Sequence, residues 1–280
     1  MVNTMSDIKL VALDLDGTLL DSEKRLSKRN EGALRACIEQ GVAVVPTTGR
    51  TVDGIPDFVR NLPGVRYAIT TNGAMIEDLT EGEVIETNKM SNNQAVKYLR
   101  MINSYHVMYD PYINGRGLTE ERFFLHLEEY GLSPRIQELV HKTRDVVPNI
   151  IEAVIEGKQE VEKINLFFPN LEERAKVREL LIACDDIELS SSMPNNLEIN
   201  ALGATKGKGI LRLASHLGLE QNQTLACGDG ENDITMIQLA GVGVAMGNAE
   251  EYLKEMADYI TLTNDEDGVA AAIEKFVLKL

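Results

Sequence analysis

The strongest constraint on the fold is a rhythm of short apolar runs, each stopped by a polar loop and followed by a helical pattern, at both ends of the chain. Residues 8–13 are apolar and partly β-branched, end at an Asp-rich loop, and precede a helical pattern over 27–40. Residues 42–46 read as a second buried strand, 52–61 as a helix, and 67–70 as a third strand stopped by Asn72-Gly73. This βαβαβ order predicts a right-handed parallel sheet. The rhythm resumes with a helix over 206–217, a strand over 224–227, a helix over 232–240 and a strand over 242–245. A helix near 250–256, a short strand at Tyr259-Ile260 and a last helix from Asp267 follow. Neither half alone completes a sheet of ordinary size.

The intervening stretch differs in character. Helical patterns at 91–105, 119–130 and 171–184 alternate with strand-like runs at 106–109, 150–155 and 163–168, including tandem strands flanking Glu156-Gly157. The reading is an α/β parallel-sheet domain, discontinuous over 1–87 and 196–280, into which an α+β domain of residues 88–195 is inserted through short crossings. A chain of 280 residues is long enough for two such cores.

Charge narrows the partners. Lys and Arg number 28 against 44 Asp and Glu, and the resulting formal charge of -16 has the wrong sign for nucleic acid or an anionic membrane. Cys37, Cys184 and Cys227 are odd in number and widely spaced, which argues against a disulfide framework or zinc site and fits a reducing cytosol. No apolar run reaches the length of a membrane span, and the start MVNTMSDIKL lacks the long apolar stretch of a signal peptide, so a cytoplasmic protein is expected.

Ligands of open parallel sheets bind beyond the carboxyl ends of the strands. The residues there form one set: Asp14-Leu15-Asp16-Gly17-Thr18 after the first strand, Thr47-Thr48-Gly49-Arg50 after the second, Asn72-Gly73-Ala74 after the third, and Gly228-Asp229-Gly230-Glu231-Asn232-Asp233 after the fourth. Lys206 opens the helix before that fourth strand. Four aspartates in one crevice repel one another unless a divalent cation is present, and hard oxygen ligands in a small site favour Mg²⁺. Thr48, Asn232 and Lys206 would then surround an anion, which points to phosphoryl chemistry with one carboxylate as nucleophile and a second as proton shuttle.

The phrase DLDGTLLDS, followed in order by TGR, NGA, a Lys followed by Gly, and GDGENDITMI, resembles the haloacid dehalogenase (HAD) superfamily, specifically its Cof-type sugar-phosphate phosphatases with a large α/β cap. The resemblance implies a Rossmann-like parallel-sheet core with an inserted α+β cap. It implies Asp14 as nucleophile and Asp16 as general acid/base. Thr48, Lys206 and Asn232 would hold the phosphoryl group, with backbone N–H donors from Leu15 and Gly49. Mg²⁺ would be bound by the Asp14 carboxylate, the Asp16 main-chain carbonyl and the Asp229 carboxylate, with Asp233 behind them orienting Lys206 or metal-bound waters. Asp at position 16 points to phosphate rather than carbon–halogen chemistry. The implied substrate is a small phosphorylated metabolite, a sugar phosphate foremost; a monomer or weak homodimer is expected, though the resemblance does not fix the oligomeric state. Arg50, Asn72 and Arg116 are candidate contacts to substrate or cap. A phosphosugar phosphomutase and a non-catalytic phosphosugar-binding protein are the alternatives.

Other motifs fail on their spacing. Residues 203–209 superficially suggest a Walker loop, but position 202 is Leu and position 209 is Gly. The glycines of 241–247 approach a dinucleotide fingerprint, but the third is one residue late and the segment reads as strand. His106, His126, His141 and His216 have no metal-ligand spacing. The stretch 110–117, rich in turn formers, reads as a loop of the insert that either merely connects or sits over the leaving group.

Overall fold

The first apolar run forms strand β1 (Leu10–Leu13), wholly buried, in a computed structural model that describes residues 7–280. Helix Lys28–Glu39 follows, with Ser27 as its N-cap, whose hydroxyl accepts from the Asn30 amide at 3.0 Å. It leads to β2 (Ala43–Pro46), parallel to β1. The helix expected over 52–61 is instead a 3₁₀ turn, Val52–Gly54, and one helical turn, Asp57–Arg60. Pro56 between them has no N–H to donate and biases Ile55 away from helical geometry. The third strand, β3 (Tyr67–Thr70), meets β2 through an isolated parallel bridge between Ile69 and Thr47. It also begins an antiparallel ladder with β4 (Met75–Asp78) and β5 (Glu83–Thr87), two strands the sequence reading missed.

The inserted stretch builds its own six-stranded sheet from β6 (Met108–Ile113), β7 (Arg116–Glu120), β8 (Arg144–Val147), β9 (Lys163–Phe167), β10 (Ile187–Ser190) and β11 (Asn196–Ala201), in the order β10-β11-β9-β6-β7-β8. Three expectations change here. Residues 110–117 are not a loop but a hairpin turning at Asn114-Gly115, both with positive φ (52° and 76°), the arrangement that an Asn-Gly pair favours. The helix expected over 119–130 starts after β7 as two single turns, Glu121–Phe124 and Leu127–Tyr130. Residues 150–155, expected as a strand, lie in helix Ile150–Gly157, capped by Asn149, so no tandem strands flank Glu156-Gly157.

The remaining strands, β12 (Thr224–Gly228), β13 (Val242–Ala245) and β14 (Tyr259–Ile260), complete a parallel sheet of order β14-β13-β12-β1-β2. Alternate residues supply its two faces. Val11, Leu13, Val44, Cys227 and Val244 pack in one cluster with Leu34, Cys37, Val269 and Ile273; Leu10, Ala12, Val45 and Ala226 pack in another with Ile210, Leu213 and Met236. A parallel sheet covered by helices on both faces is thereby buried along its central strands, while the edge strand β14 leaves Ile260 exposed.

The chain thus forms an α/β parallel-sheet unit, comprising residues up to Arg50, Ile55–Thr87 and Thr205–Leu280, and an α+β unit comprising Thr51–Gly54 and Asn88–Ala204. The division near 204 differs from the one expected at 195, because residues 196–201 pair with β9 and β10 in the second sheet. All three cysteines are free. Among the described residues no helix is long and apolar enough to cross a membrane.

Candidate active site

Strand β1 lies between β2 and β12, so the chain leaves β1 to one side and returns on the other, opening a crevice beyond the carboxyl ends of both strands. Leu13 is in register with Cys227, and the Asp14 amide donates to the Cys227 carbonyl at 3.1 Å, which sets Asp14 beside the loop that begins at Gly228. Gly17 has φ +90°, and a Cβ there would stand 2.4 Å from Asp229 Oδ2. Only glycine therefore lets the first loop pass so close to the Asp229 carboxylate. The Thr18 hydroxyl donates to Asp229 Oδ1 at 2.7 Å.

Lys206 is the first residue of helix Lys206–His216, whose N-cap is Thr205. It is fully buried, and its ammonium lies 2.6 Å from Asp14 Oδ1 and 2.6 Å from Asp233 Oδ1. Burial acts to lower its pKa, but the two carboxylates win and the net shift is upward, so it stays charged. The other oxygen of Asp233 accepts from the amides of Asp229 and Gly230, each at 2.9 Å. Asp233 therefore ties the ammonium to the loop that carries Asp229.

The carboxylates are crowded. Burial raises the Asp14 pKa well above its usual range, with Asp233, Asp229 and Asp16 adding to the rise and Lys206 opposing it. Burial, then Asp233, pushes Asp229 up from 3.8 to about 7. Oxygens of Asp14, Asp229 and Asp233 lie within 4.8 Å of one another. Three carboxylates against one ammonium leave excess negative charge, and hard oxygens so disposed fit a small divalent cation such as Mg²⁺.

Asp16 stands outside this cluster. Arg50 grips its carboxylate through Nε at 2.9 Å and Nη2 at 2.8 Å, and Lys24 adds a contact at 2.8 Å. Burial opposes ionisation, but Arg50 and Lys24 together bring the net pKa below the usual carboxylate value. Thr48 is buried, and its hydroxyl accepts from the Arg50 amide at 3.2 Å. Gly49 lies between these two residues, and Leu15 is buried between the two aspartates of the first loop. Asn72 has left-handed geometry, φ 58°, and its side-chain carbonyl accepts from Asn232 Nδ2 at 3.3 Å. The structure thus brings Asp14, Lys206, Asp229 and Asp233 together, joins Asp16 to Arg50, and joins Asn72 to Asn232. Arg116 lies in the α+β unit and pairs with Asp145 at 2.9 Å.

Two partners escaped the sequence reading. Thr18 had a signal, its place in the first loop, but no assigned role. Lys24 had none: it is a loop lysine, eight residues after Asp16, whose positive φ of 61° cannot be read from composition.

A parallel-sheet core with an acidic crevice at the switch in strand order, built around a buried lysine, defines a hydrolase of the phosphoryl-transfer type. A family model described as haloacid dehalogenase-like hydrolase matches residues 11–273, and the chain belongs to that family. It is 33% identical over 279 residues to the 5-amino-6-(5-phospho-D-ribitylamino)uracil phosphatase YcsE of Bacillus subtilis, covering 97% of each chain. A solved haloacid dehalogenase-like hydrolase from B. subtilis superposes with a TM-score of 0.84 at 30% identity, covering 96% of this chain and 100% of the other. The HAD subclass IIB sugar phosphatase BT4131 does so with a TM-score of 0.79 at 27% identity, covering 96% and 98%. The protein is an enzyme, a phosphatase of the HAD type.

Proposed function

We propose that the protein is a Mg²⁺-dependent phosphatase of small phosphorylated metabolites, sugar or polyol phosphates foremost, acting through an aspartyl-phosphate on Asp14. The observation that carries this reading is the buried Lys206 ammonium shared between Asp14 and Asp233, with Asp229 in the same oxygen cluster. The relatives' names, a ribityl phosphate ester for YcsE and sugar phosphate chemistry for BT4131, support the substrate class.

Asp14, Asp229 and the main-chain carbonyl of Asp16 would hold Mg²⁺; Asp233 has both oxygens engaged and stands behind. When bound, the cation supplies positive charge against the phosphoryl oxygens. The Asp14 carboxylate attacks phosphorus, and the bond to the leaving oxygen breaks as Asp16 gives that oxygen a proton. Asp16, ionised again, takes a proton from water, which attacks the aspartyl-phosphate and frees inorganic phosphate with Asp14 restored. Lys206, Thr48 and Asn232, with the amides of Leu15 and Gly49, fix the phosphoryl group through both steps. For the first step Asp16 must exchange Arg50 and Lys24 for the leaving oxygen.

Phosphate release from sugar phosphates and p-nitrophenyl phosphate, with and without Mg²⁺, tests this. Asp14→Asn should reduce turnover by at least about 10³-fold, the order expected when a nucleophile is removed. Equal release by the variant would overturn the nucleophile assignment, and isomerised ester without free phosphate would indicate a mutase.

A further inference from the structure

The first loop of the site is held in place from the far end of the chain. Beyond Asp14 the backbone turns through Gly17, Thr18, Leu19 and Leu20, and a turn of this kind leaves main-chain carbonyls outside the sheet ladder that side chains must satisfy. Asparagines take three of them. Asn248 Nδ2 donates to the Gly17 carbonyl at 2.8 Å, Asn30 Nδ2 to the Leu19 carbonyl at 3.3 Å, and Asn264 Nδ2 to the Leu20 carbonyl at 3.0 Å. A planar amide offers a donor at one corner and an acceptor at the other, so each can grip the loop while being gripped itself. Asn30 Oδ1 accepts from the Ala270 amide, and Asn248 Oδ1 from the Asn264 amide, both at 2.9 Å.

Asn248 differs from the other two. Asn30 and Asn264 are buried, 1% and 8% exposed, and hold residues whose side chains belong to the core; Asn248 is exposed. It lies in the loop beyond the carboxyl end of β13, where the Met246 amide donates to the Gly228 carbonyl at 3.0 Å and sets that loop beside the one carrying Asp229. The next amide, of Gly247, donates to the Leu262 carbonyl at 3.0 Å, and a Cβ on Gly247 would stand 2.9 Å from the Thr263 nitrogen, so the loop is pressed against the segment after β14. Asn248 is thus anchored on one side and reaches Gly17 on the other. The carbonyl it holds belongs to the peptide group that Gly17 shares with Thr18, and the Thr18 hydroxyl donates to Asp229 Oδ1 at 2.7 Å. One chain of contacts therefore runs from the Asn264 amide through Asn248 and the Gly17–Thr18 peptide to the Asp229 carboxylate. An exposed hydrogen bond adds little to stability, because water replaces it. What this one fixes is orientation.

We propose that Asn248 is a positioning residue for the cation site: it sets the Gly17–Thr18 peptide and, through the Thr18 hydroxyl, the Asp229 carboxylate in the orientation that Mg²⁺ requires; this rests on the Mg²⁺ reading above. The Asp16 main-chain carbonyl, the other oxygen this loop would give to the cation, is in the adjoining peptide group and is steadied by the same contact. Groups that orient metal ligands from behind commonly carry ten- to a hundredfold of metal affinity.

The test is calorimetric titration of the chelated protein with Mg²⁺ alone, for the native chain, Asn248→Ala, Asn248→Asp, Thr18→Val and the double variant Asn248→Ala/Thr18→Val. Asn248→Ala should raise the Mg²⁺ Kd at least about tenfold while the melting temperature of the chelated protein stays close to native, and the Mg²⁺ concentration that half-saturates phosphate release should rise by the same factor. Asn248→Asp keeps the acceptor for the Asn264 amide but turns a second acceptor towards the Gly17 carbonyl. Its added negative charge alone would tighten Mg²⁺ binding, so a weakening in this variant too isolates the lost donor. The double variant should weaken binding no more than the larger single change, because both residues act along one chain. Native-like affinity in Asn248→Ala, tighter binding by Asn248→Asp, or a double effect equal to the product of the two single effects would overturn the assignment while leaving the Mg²⁺ reading intact. No Mg²⁺ binding by the native chain would overturn both, and phosphate release lost in Asp14→Asn would still uphold the nucleophile.

Discussion

Asp16 must carry a proton to serve as an acid, yet Arg50 and Lys24 hold it ionised. The limb of the rate profile that falls with rising pH reports the acid in the free enzyme when followed as kcat/KM. Replacing Arg50 by Gln removes one of the charges that keep Asp16 low, so that limb should move to higher pH; a pH profile of Arg50→Gln with p-nitrophenyl phosphate checks this. Asp229 is displaced the opposite way, from 3.8 to about 7, through burial and the neighbouring Asp233. Its folded-state pKa is raised, so between about pH 4 and pH 7 the folded protein keeps a proton that the unfolded chain has released. Stability of the chelated protein should therefore fall as pH rises across that window. Asp16, held low, contributes stability that is lost only on further acidification. Mg²⁺ competes with the proton at Asp229, so thermal melts should show a larger Mg²⁺-induced rise near pH 7.5 than near pH 5.5.

The elements that position these residues depend on close backbone approaches. A Cβ at Gly207, the residue after Lys206, would stand 2.2 Å from the Thr235 carbonyl in the neighbouring helix, whereas a Cβ at Gly32 in helix Lys28–Glu39 would meet nothing within 4 Å. The same substitution should act with opposite signs. Gly32→Ala should stabilise by about 0.5–1 kcal/mol through helix propensity, and Gly207→Ala should destabilise by about 1–3 kcal/mol by forcing the helices apart. Because Gly207 adjoins Lys206, its variant should also lose at least about tenfold in kcat; melting temperatures and kinetics of the two variants check both signs. Elements of the parallel sheet were legible because each buried strand is a near-continuous apolar run ending at a polar loop. The site was legible for the same reason, its residues lying where those runs stop, although the Arg50–Lys24 grip on Asp16 depends on loop geometry that spacing does not encode. The inserted unit was less legible. Ile150–Gly157 is rich in β-branched residues, but Asn149 caps it and Ile150 and Val154, four apart, are its buried residues, so packing and capping override propensity. Strand β11, Asn-Leu-Glu-Ile-Asn-Ala, alternates polar with apolar as a strand should, but with both sets buried it belongs to the second sheet rather than to a crossing.

At the scale of the whole molecule, charge works against the reaction. A formal charge of -16 repels a dianionic phosphate ester on approach. Attraction is local, from Lys206, Arg50 and Lys24, each already facing a carboxylate, together with the cation that the crowded aspartates fit. These two fields differ in range and so respond differently to salt. Raising ionic strength from 0.01 M to 0.1 M shortens the Debye length from about 30 Å to about 10 Å. Distant surface carboxylates are then screened, while charges a few ångströms from the bound phosphoryl group, in a partly desolvated crevice, are affected far less. Encounter should therefore become easier while binding at the site is little weakened. The expected outcome is that kcat/KM for a sugar phosphate, measured at saturating Mg²⁺, rises or stays level over that range with kcat unchanged. A steep fall would mean that the positive focus reaches beyond the crevice and outweighs the charge of the chain as a whole.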